Sequence, residues 1–363
     1  MQAPKGLAGV VVAQSSISDV QSAGVLTYRG RAIADLTDIP FLRVAQLVVT
    51  GVDAAEHRVQ EDWTELFEQD KRLPAHLQRL VLQLPRDMSP LLVLQTMAPV
   101  LAAECPHTDP VRRGFAIAAK LPEVLLTRVA GVPIRLGQRG DYAEQFVIAL
   151  CQHQQKDKLD DEQRALFARA LNVAQVLQIE HSLNAGTFAA RVVASTKASV
   201  ECAIAAGFGA LSGALHGGAD HDAMAMADRL DDPDHAAAFV AQMLADGTKV
   251  PGMGHREYRV RDPRAVCLDE WADKMAGTAQ LRDTYAKLQA IEVAFREQMA
   301  QRGKQVYTNV DFYKGVVYRA LGLPDAAFTA MFALARVFGY IAHFVENAQD
   351  NRIYRPQAEY VGN

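Results

Sequence analysis

Three histidines and one aspartate are the residues of this sequence that could carry out chemistry together. His181 ends a helical run, His216 precedes two glycines, His255 lies in a Pro/Gly-rich loop, and Asp311 opens a further helical run. Each also has a structural interpretation when taken alone. His216 would fit the C-terminal cap of a helix, and Asp311 would fit an N-cap.

Two arginines add cationic groups to this set. Arg264 follows a proline after a polar run, which by itself indicates a solvated surface position. Arg336 lies inside the apolar run 329–345, where an unpaired charge is costly, so the pattern predicts an anionic partner or ligand for it. That run, at about 17 residues with a central arginine, is too short for a membrane span and predicts a buried core helix.

Taken together, these side chains match the needs of carbon–carbon bond formation between a thioester and a keto acid. Removing a proton next to a thioester requires a carboxylate base such as Asp311 and a donor to the enolate oxygen such as His216. His255 could donate to the keto oxygen of the electrophile, whose carboxylates arginines would hold in bidentate fashion. This chemistry needs no metal.

The elements that position these residues are predicted to be mainly α-helical. Short β-branched runs at 10–12 and 25–28 predict small strands or a hairpin near the N-terminus. After Pro40 the apolar residues follow the helix period, and Gly51 is placed to end the first of these helices.

Further along the chain the pattern predicts longer helices. One long amphipathic helix is expected over 157–186, with two more helices between 187 and 215. Another is expected from about Asp222, and a strongly periodic one carries the apolar positions between 281 and 299.

Composition excludes several classes of function. The chain has 363 residues, a net charge of −4 and a pI near 6.2, which argues against nucleic-acid and membrane-surface binding. Its four cysteines are scattered without a CxxC motif, which indicates a reduced cytoplasm and no structural zinc. No secretory signal is evident at the N-terminus, and the length suggests two or three domains.

At this point the sequence resembles citrate synthase along nearly its whole length. The resemblance begins with the stretches 6–10 and 26–30 and ends with 351–356. Its most specific motifs stand in the order and at the spacing typical of that family: His181-Ser182-Leu183-Asn184-Ala185, Leu215-His216-Gly217-Gly218-Ala219, Pro251-Gly252-Met253-Gly254-His255 with Asp262-Pro263-Arg264, and Asn309-Val310-Asp311-Phe312-Tyr313.

The resemblance implies an almost entirely helical two-domain fold and an obligate homodimer. Residues 1–215 and 316–363 would form the large domain, and 216–315 a smaller mobile one. The implied reaction is the condensation of acetyl-CoA with oxaloacetate, followed by hydrolysis of citryl-CoA to citrate, the entry step of the tricarboxylic acid cycle. Coenzyme A would take part as a co-substrate thioester, with no permanently bound cofactor.

The resemblance also implies a role for each matching residue. His216 resembles the donor to the thioester oxygen, Asp311 the base that takes the methyl proton, and His255 the donor to the keto oxygen. The remaining residues would bind the substrates: His181, Arg264 and Arg336 hold oxaloacetate, Arg355 reaches the site across the dimer interface, and Arg259, assisted by Arg261, meets the coenzyme A phosphates.

Three positions depart from the pattern of the family. Gly186 stands where serine is common, which removes a hydroxyl that would help orient His216. Asp220 replaces the usual asparagine and adds a carboxylate near the site, and the stretch 87–91 lacks a frequent His-Pro-Met. None of these departures removes a catalytic residue, so activity is expected.

Two alternatives remain open at the level of the sequence. A 2-methylcitrate synthase would use propionyl-CoA with the same residues, and the stretch 309–313 favours acetyl-CoA. One methylene changes binding by only about 1–3 kcal/mol in an apolar pocket, so the sequence discriminates weakly. A non-catalytic paralogue that senses a dicarboxylate or coenzyme A would be supported only by Gly186 and Asp220.

Overall fold

The chain folds almost entirely into helices, as predicted, with one small sheet near the N-terminus. The computed structural model describes residues 4–53, 61–154, 160–278 and 281–362. The sheet is antiparallel, in the order β1 (Ser18–Gln21), β2 (Val25–Tyr28) and β3 (Arg31–Ala32). Short 3₁₀ turns lie at Lys5–Leu7, Pro233–His235 and Asp325–Ala327.

The described α-helices are distributed along the whole chain. The first half contains α1 (Ile33–Leu36), α2 (Phe41–Thr50), α3 (Trp63–Asp70), α4 (Ala75–Gln83), α5 (Pro90–Ala103), α6 (Pro110–Ala118), α7 (Leu121–Ala130), α8 (Tyr142–His153) and α9 (Asp161–Val176). The second half contains α10 (Ala185–Ser195), α11 (Val200–Leu211), α12 (Ala219–Arg229), α13 (Ala236–Ala245), α14 (Pro263–Thr278), α15 (Arg282–Gln301), α16 (Asp311–Leu321) and α17 (Phe328–Gln349).

The N-terminal β prediction is right for one run and wrong for the other. Residues 25–28 form β2, which pairs with β1 in the register Ser18 to Tyr28. Residues 10–12 lie outside any strand, and Val11 is 85% exposed. A β-branched run becomes a strand only where a second strand supplies hydrogen bonds, and this run has no such neighbour in the described sheet.

The long helix α17 is the core on which the other helices pack. It contacts α2, α6, α10 and α11. The segment Asp325–Gln349 is long and apolar enough to cross a membrane by length and composition alone, but 89% of its most apolar window is buried inside the protein. The prediction of a buried core helix is therefore confirmed.

Several helix ends differ from the sequence prediction. Gly51 does end α2, in a left-handed conformation with its N–H bonded to Leu47 O at 2.8 Å. The long helix expected over 157–186 stops at Val176, and its predicted start lies outside the described residues. Asn184 caps a new helix, α10, by accepting a bond from the Thr187 N–H at 3.0 Å.

The predicted small domain corresponds to α12, α13, α14, α15 and the beginning of α16. Its first helix starts at Ala219, three residues before the expected Asp222. The predicted boundary at 315/316 falls inside α16, which continues to Leu321 and packs mainly on α12 and α14. Because a continuous helix moves as one unit, α16 belongs with the helices on which it packs.

Candidate active site

A cluster of rings brings two of the predicted histidines together. The centroids of the His181 and His255 rings are 5.1 Å apart. Tyr258 contacts both: its ring centroid lies 4.5 Å from that of His255, and its hydroxyl is 3.0 Å from Nε2 of His181. The pKa of His181 is lowered, first by burial and then by the charge of Arg264, so the ring is neutral.

His216 lies in the turn between α11 and α12, and the C-cap interpretation is wrong. Helix α11 ends at Leu211, five residues earlier, while Gly218 is the N-cap of α12. Gly217 is required because an added Cβ would collide with the backbone oxygen of Leu211. The two glycines therefore allow close backbone packing and the start of a helix.

The protonation state of His216 follows from its hydrogen bond. Nε2 accepts from the backbone N–H of Gly186 at 3.3 Å, an N–H group in the first turn of α10 that has no partner within its own helix. The proton of the neutral ring must then be on Nδ1. The pKa of His216 is lowered, chiefly by burial and then by Arg336, against the opposing charge of Asp311. His216 is thus a neutral donor.

His255 is held in the opposite tautomer by its own loop. Nδ1 accepts the backbone N–H groups of Glu257 and Tyr258 at 3.0 and 3.2 Å, which places the ring proton on Nε2. Nε2 lies 3.3 Å from Nη2 of Arg264, which cannot accept, and 3.8 Å from Oδ2 of Asp262. Burial, reinforced by Arg264, lowers the pKa of His255 to about 4. Its Nε2–H group is available to a ligand.

Arg264 is buried rather than solvated, contrary to its default interpretation. Its Nε and Nη2 atoms bond the two oxygens of Asp262 at 3.0 and 2.7 Å. Asp262 also accepts the backbone N–H of Arg264 at 2.9 Å, where α14 begins. The position of the guanidinium is therefore set by a carboxylate on the same loop, in a fork geometry.

Arg336 is fully buried, and the predicted anionic partner is not supplied by the described part of the chain. Nε donates to Gln178 O at 2.8 Å, and the guanidinium lies 4.6 Å from the centre of the Phe332 ring. Burial lowers the pKa of Arg336, and Tyr340 and Glu180 oppose this effect. No ion pair joins Arg336 to an acidic residue within the described ranges, so its charge is poised for an anionic ligand.

Asp311 is the first residue of α16 and not its cap. Val310 occupies the N-cap position, and the side chain of Asn309 accepts the Asp311 N–H at 2.9 Å. The Asp311 carboxylate is close enough to raise the pKa of both His216 and His255, although burial dominates each ring. The three residues come from separate segments of the chain, and the charge of Asp311 reaches both rings.

The glycine that departs from the family pattern is explained by Tyr340. An added Cβ at Gly186 would overlap the Tyr340 hydroxyl, and one at Gly207 would overlap its ring. The hydroxyl donates to Gly207 O at 3.2 Å. Gly186 and Gly207 thus form a notch that accepts Tyr340, and the backbone N–H of Gly186 still orients His216.

A serine at position 186 is expected to lower both the stability and the activity of this protein. Gly186→Ser should lower the free energy of unfolding by about 1–3 kcal/mol through overpacking, and it should lower kcat by displacing the His216 partner. Adding Tyr340→Phe should recover part of both losses. Thermal unfolding and steady-state rates measure this, with Gly137→Ser as the control because a Cβ there would come no closer than 4.0 Å to its nearest neighbour, the backbone nitrogen of Arg139. Undiminished stability in Gly186→Ser would refute the notch.

The three remaining predicted residues lie in different settings. Arg259 is exposed, with its backbone N–H bonded to Ser22 O at 2.9 Å. Arg261 is engaged by Asp269 at 2.8 Å and Glu292 at 3.2 Å, which makes it part of the packing around α14 and α15. Arg355 is exposed on the C-terminal tail and not brought into the cleft of its own chain by any described contact.

Sequence reasoning missed three residues that shape this cleft: Tyr258, Asp262 as the partner of Arg264, and Lys314. Lys314 is buried, and its Nζ lies 2.6 Å from Oδ1 of Asp311. The sequence did contain a signal for Lys314. It is the one lysine in the apolar run of α16, and burying its charge without a counterion would be costly, as for Arg336. Tyr258 had no such signal, since its contact with His181 joins residues 77 positions apart.

The chain is similar to known proteins along nearly its whole length. The family model for the C-terminal domain of citrate synthase matches residues 6–357. A citrate synthase from Synechocystis sp. is 33% identical, over 99% of this chain and 90% of its own. A 2-methylcitrate synthase from Mycobacterium tuberculosis is also 33% identical, with the same two coverages. The solved ternary complex of Thermoplasma acidophilum citrate synthase with carboxymethyl coenzyme A and oxaloacetate has a TM-score of 0.87, 25% identity and coverage of 99% and 96%.

Proposed function

The chain belongs to the citrate synthase family, and from this premise we propose which of its residues carry out the reaction. It is an acyltransferase that condenses acetyl-CoA with oxaloacetate and hydrolyses citryl-CoA to citrate and coenzyme A. One observation carries the assignment of roles: backbone N–H groups occupy Nε2 of His216 and Nδ1 of His255, which leaves Nδ1–H of His216 and Nε2–H of His255 as donors.

Asp311 is the base of the first step. Its free oxygen takes a proton from the methyl group of the thioester, and the electron pair left on carbon moves into the enolate. Nδ1–H of His216 donates to the enolate oxygen, because Nε2 is occupied by Gly186. A neutral imidazole suits this task, since a full cation would pair with Asp311 instead. A base and a donor of this kind each contribute about 10²- to 10⁴-fold in rate.

The electrophile is oriented by groups on the facing side of the cleft. Nε2–H of His255 donates to the keto oxygen of oxaloacetate and takes up the charge that develops as the enolate carbon attacks. Arg264, through Nη1, and Arg336 bind the carboxylates, and His181 supplies a further polar contact. Because Arg336 is buried and lacks an ion pair in the described structure, a dianion entering the cleft supplies the missing counter-charge.

Closure of the smaller domain completes the site. We place the domain boundary at the end of α16 instead of at 315/316, because α16 packs mainly on α12 and α14. Arg259 is exposed near the mouth of the cleft and contacts the phosphates of coenzyme A, whereas Arg261 is held by Asp269 and Glu292. Closure excludes water until the new bond has formed. The reaction needs no permanently bound cofactor, and we place the enzyme in the reducing cytoplasm.

The dimer supplies the last carboxylate ligand. Arg355 lies on an extended tail that runs along α10, where Asn351 and Tyr354 bond Ser195 at 3.1 and 3.2 Å. An exposed arginine held in this way can enter the cleft of a second copy. Subunits carrying Arg355→Leu and subunits carrying Asp311→Asn should each be inactive alone. Mixed dimers should regain one intact site, and a failure to regain activity on mixing would contradict the shared site.

The acyl group is tested by comparing acetyl-CoA with propionyl-CoA. We expect a higher kcat/KM for acetyl-CoA in an assay of thiol release with oxaloacetate. A methylene changes transition-state binding by about 1–3 kcal/mol, which corresponds to about 10- to 200-fold. A higher value for propionyl-CoA would assign the chain to the 2-methylcitrate synthases that are also among its relatives. Intact oxaloacetate binding without thiol release from either thioester would indicate a sensor.

A further inference from the structure

A buried lysine directly contacts the proposed base, and a second carboxylate holds that lysine from the other side. Nζ of Lys314 lies 2.6 Å from Oδ1 of Asp311 and 3.1 Å from Oδ2 of Asp220. The side chain of Lys314 is 1% exposed and that of Asp220 is 2% exposed. The two carboxylates thus share one buried ammonium group, with Asp220 buried and the side chain of Asp311 18% exposed.

The remaining surroundings of this ammonium fix its position. Gln178 Oε1 lies 3.5 Å from Nζ, and the centre of the Phe332 ring lies 4.4 Å from it. Gln178 also accepts Nε of Arg336 through its backbone oxygen, at 2.8 Å. Lys314 therefore stands where α12, α16, α17 and the α9–α10 connection meet, and one residue links it to the proposed oxaloacetate ligand Arg336.

Burial and neighbouring charges act in opposite directions on the pKa values of Lys314 and Asp220. Burial opposes the charge on Lys314, but Asp220 and Asp311 outweigh it, so the pKa of Lys314 is raised and the amine stays protonated. Burial raises the pKa of Asp220 against the opposing effect of Lys314. Oδ1 of Asp220 accepts the His221 N–H at 2.8 Å, whereas Oδ2 is within ion-pair distance of Lys314 without hydrogen-bond alignment.

We propose that Lys314 and Asp220 form a positioning pair for the Asp311 carboxylate. Lys314 holds Oδ1 and leaves Oδ2 as the oxygen that receives the methyl proton, while Lys314 keeps its own proton throughout. Asp220 shares the ammonium group of Lys314, so that Asp311 does not hold this charge alone. The proposal rests on the role of Asp311 given above, and it accounts for the departure at position 220 as a partner of Lys314.

Removing the charge of Lys314 and removing the charge of Asp220 should shift the pH profile of kcat/KM in opposite directions. Lys314→Met leaves the buried Asp220 and the partly buried Asp311 without a cation, and like charges favour retention of a proton. The acid limb of kcat/KM should then move up by about one pH unit or more. At neutral pH kcat should fall by about 10- to 100-fold. In Asp220→Asn the ammonium group of Lys314 pairs with Asp311 alone. The acid limb of kcat/KM of this variant should therefore move down.

The double variant tests whether the two residues act as a unit. Lys314→Met with Asp220→Asn removes both the cation and the repulsion, so its acid limb should return toward that of the wild type. Its kcat should exceed that of Lys314→Met alone, by several-fold. Non-additivity of this kind is expected for groups in one charge cluster. If Lys314→Met does not fold, the downward shift in Asp220→Asn, which changes little in size, remains decisive alone.

Other titratable groups face this cluster and are accounted for in the design. They are His216 from the turn before α12, His255 from the loop before α14, Tyr318 from the next turn of α16 and Arg336 from α17, each coupled electrostatically to a member of the cluster or to its neighbour His216. None of them is changed in the variants. An acid limb that moves up in Lys314→Met and down in Asp220→Asn therefore reports on the pairing of Lys314 with Asp220.

The matched control is Lys71, which is buried to the same degree. Its ammonium pairs with Glu68 three residues earlier on the chain, as Lys314 does with Asp311, and it bonds Gln145 Oε1 at 2.6 Å. Lys71→Met should lower stability and leave the acid limb unchanged. An unmoved limb in Lys314→Met, or shifts of the same sign in both single variants, would overturn the proposal. If Asp311→Asn stays active, the role of Asp311 as the base fails instead.

Discussion

Asp311→Asn lowers kcat by about 10²- to 10⁴-fold while the affinity for oxaloacetate stays within a few-fold of the wild type. The amide occupies nearly the same volume but cannot accept the methyl proton. The groups proposed to hold oxaloacetate, Arg264 and Arg336, are fixed by Asp262 and Gln178 and do not depend on position 311. Steady-state kinetics with both substrates and direct titration of oxaloacetate measure the two effects separately.

The exchange of methyl hydrogens sharpens this test. With oxaloacetate present, the wild type should exchange the methyl protons of a non-condensing thioester analogue with solvent deuterium, and Asp311→Asn should not. Asp283→Asn is a control of the same chemistry, because Asp283 is a solvent-exposed carboxylate paired with Lys287 on α15. A variant at position 311 that keeps more than about a tenth of the activity would be incompatible with its role as the base.

Arg336→Met raises the KM for oxaloacetate by about 10²- to 10³-fold and does not lower the thermal stability of the free protein. Hydrogen bonds to charged groups contribute about 1.5–3 kcal/mol each, and a bidentate contact supplies two of them. In the free protein Arg336 is a buried cation without an ion pair among the described residues, so replacing it with an apolar side chain of similar length removes a desolvation cost.

The combination of weaker binding and undiminished stability is the signature of a ligand-binding charge. A structural arginine behaves in the opposite way. Arg113, which bonds both oxygens of Glu201 at 3.0 and 3.1 Å, is the control, and Arg113→Met should lose stability with an unchanged KM. Arg336→Lys keeps the charge without the planar fork and should give an intermediate KM. An unchanged KM in Arg336→Met would remove Arg336 from the site.

In the proposed site, neutral imidazoles among cations would hold a dianion and still allow an enolate to form. Arg264 lowers the pKa of His181 and His255, and Arg336 lowers that of His216, in each case after the larger effect of burial. The arginines therefore attract carboxylates and also keep the rings uncharged. Uncharged rings donate hydrogen bonds without competing for Asp311, which is what the proposed reaction requires.

The local features of this protein are predictable from its amino-acid order. Helical periodicity predicted the mainly α fold and the strongly periodic helix realised as α15, and Gly51 was recognised as the residue that ends α2. The cost of burying a charge singled out Arg336 as a residue in need of an anion. Motif order brought together the segments of His181, His216, His255 and Asp311. Each of these signals apart from motif order lies within one helix or one loop, so neighbouring residues reveal it.

The way in which these segments act on each other depends on how the helices pack. The tautomer of His216 depends on an N–H group 30 residues away, and the need for Gly186 depends on a tyrosine of α17. The pairing of Lys314 with Asp220 joins two helices separated by most of the smaller domain. Hydrogen bonds, steric overlap and ion pairing act over a few ångströms, so their partners are set by helix packing and are invisible to a pattern read along one chain.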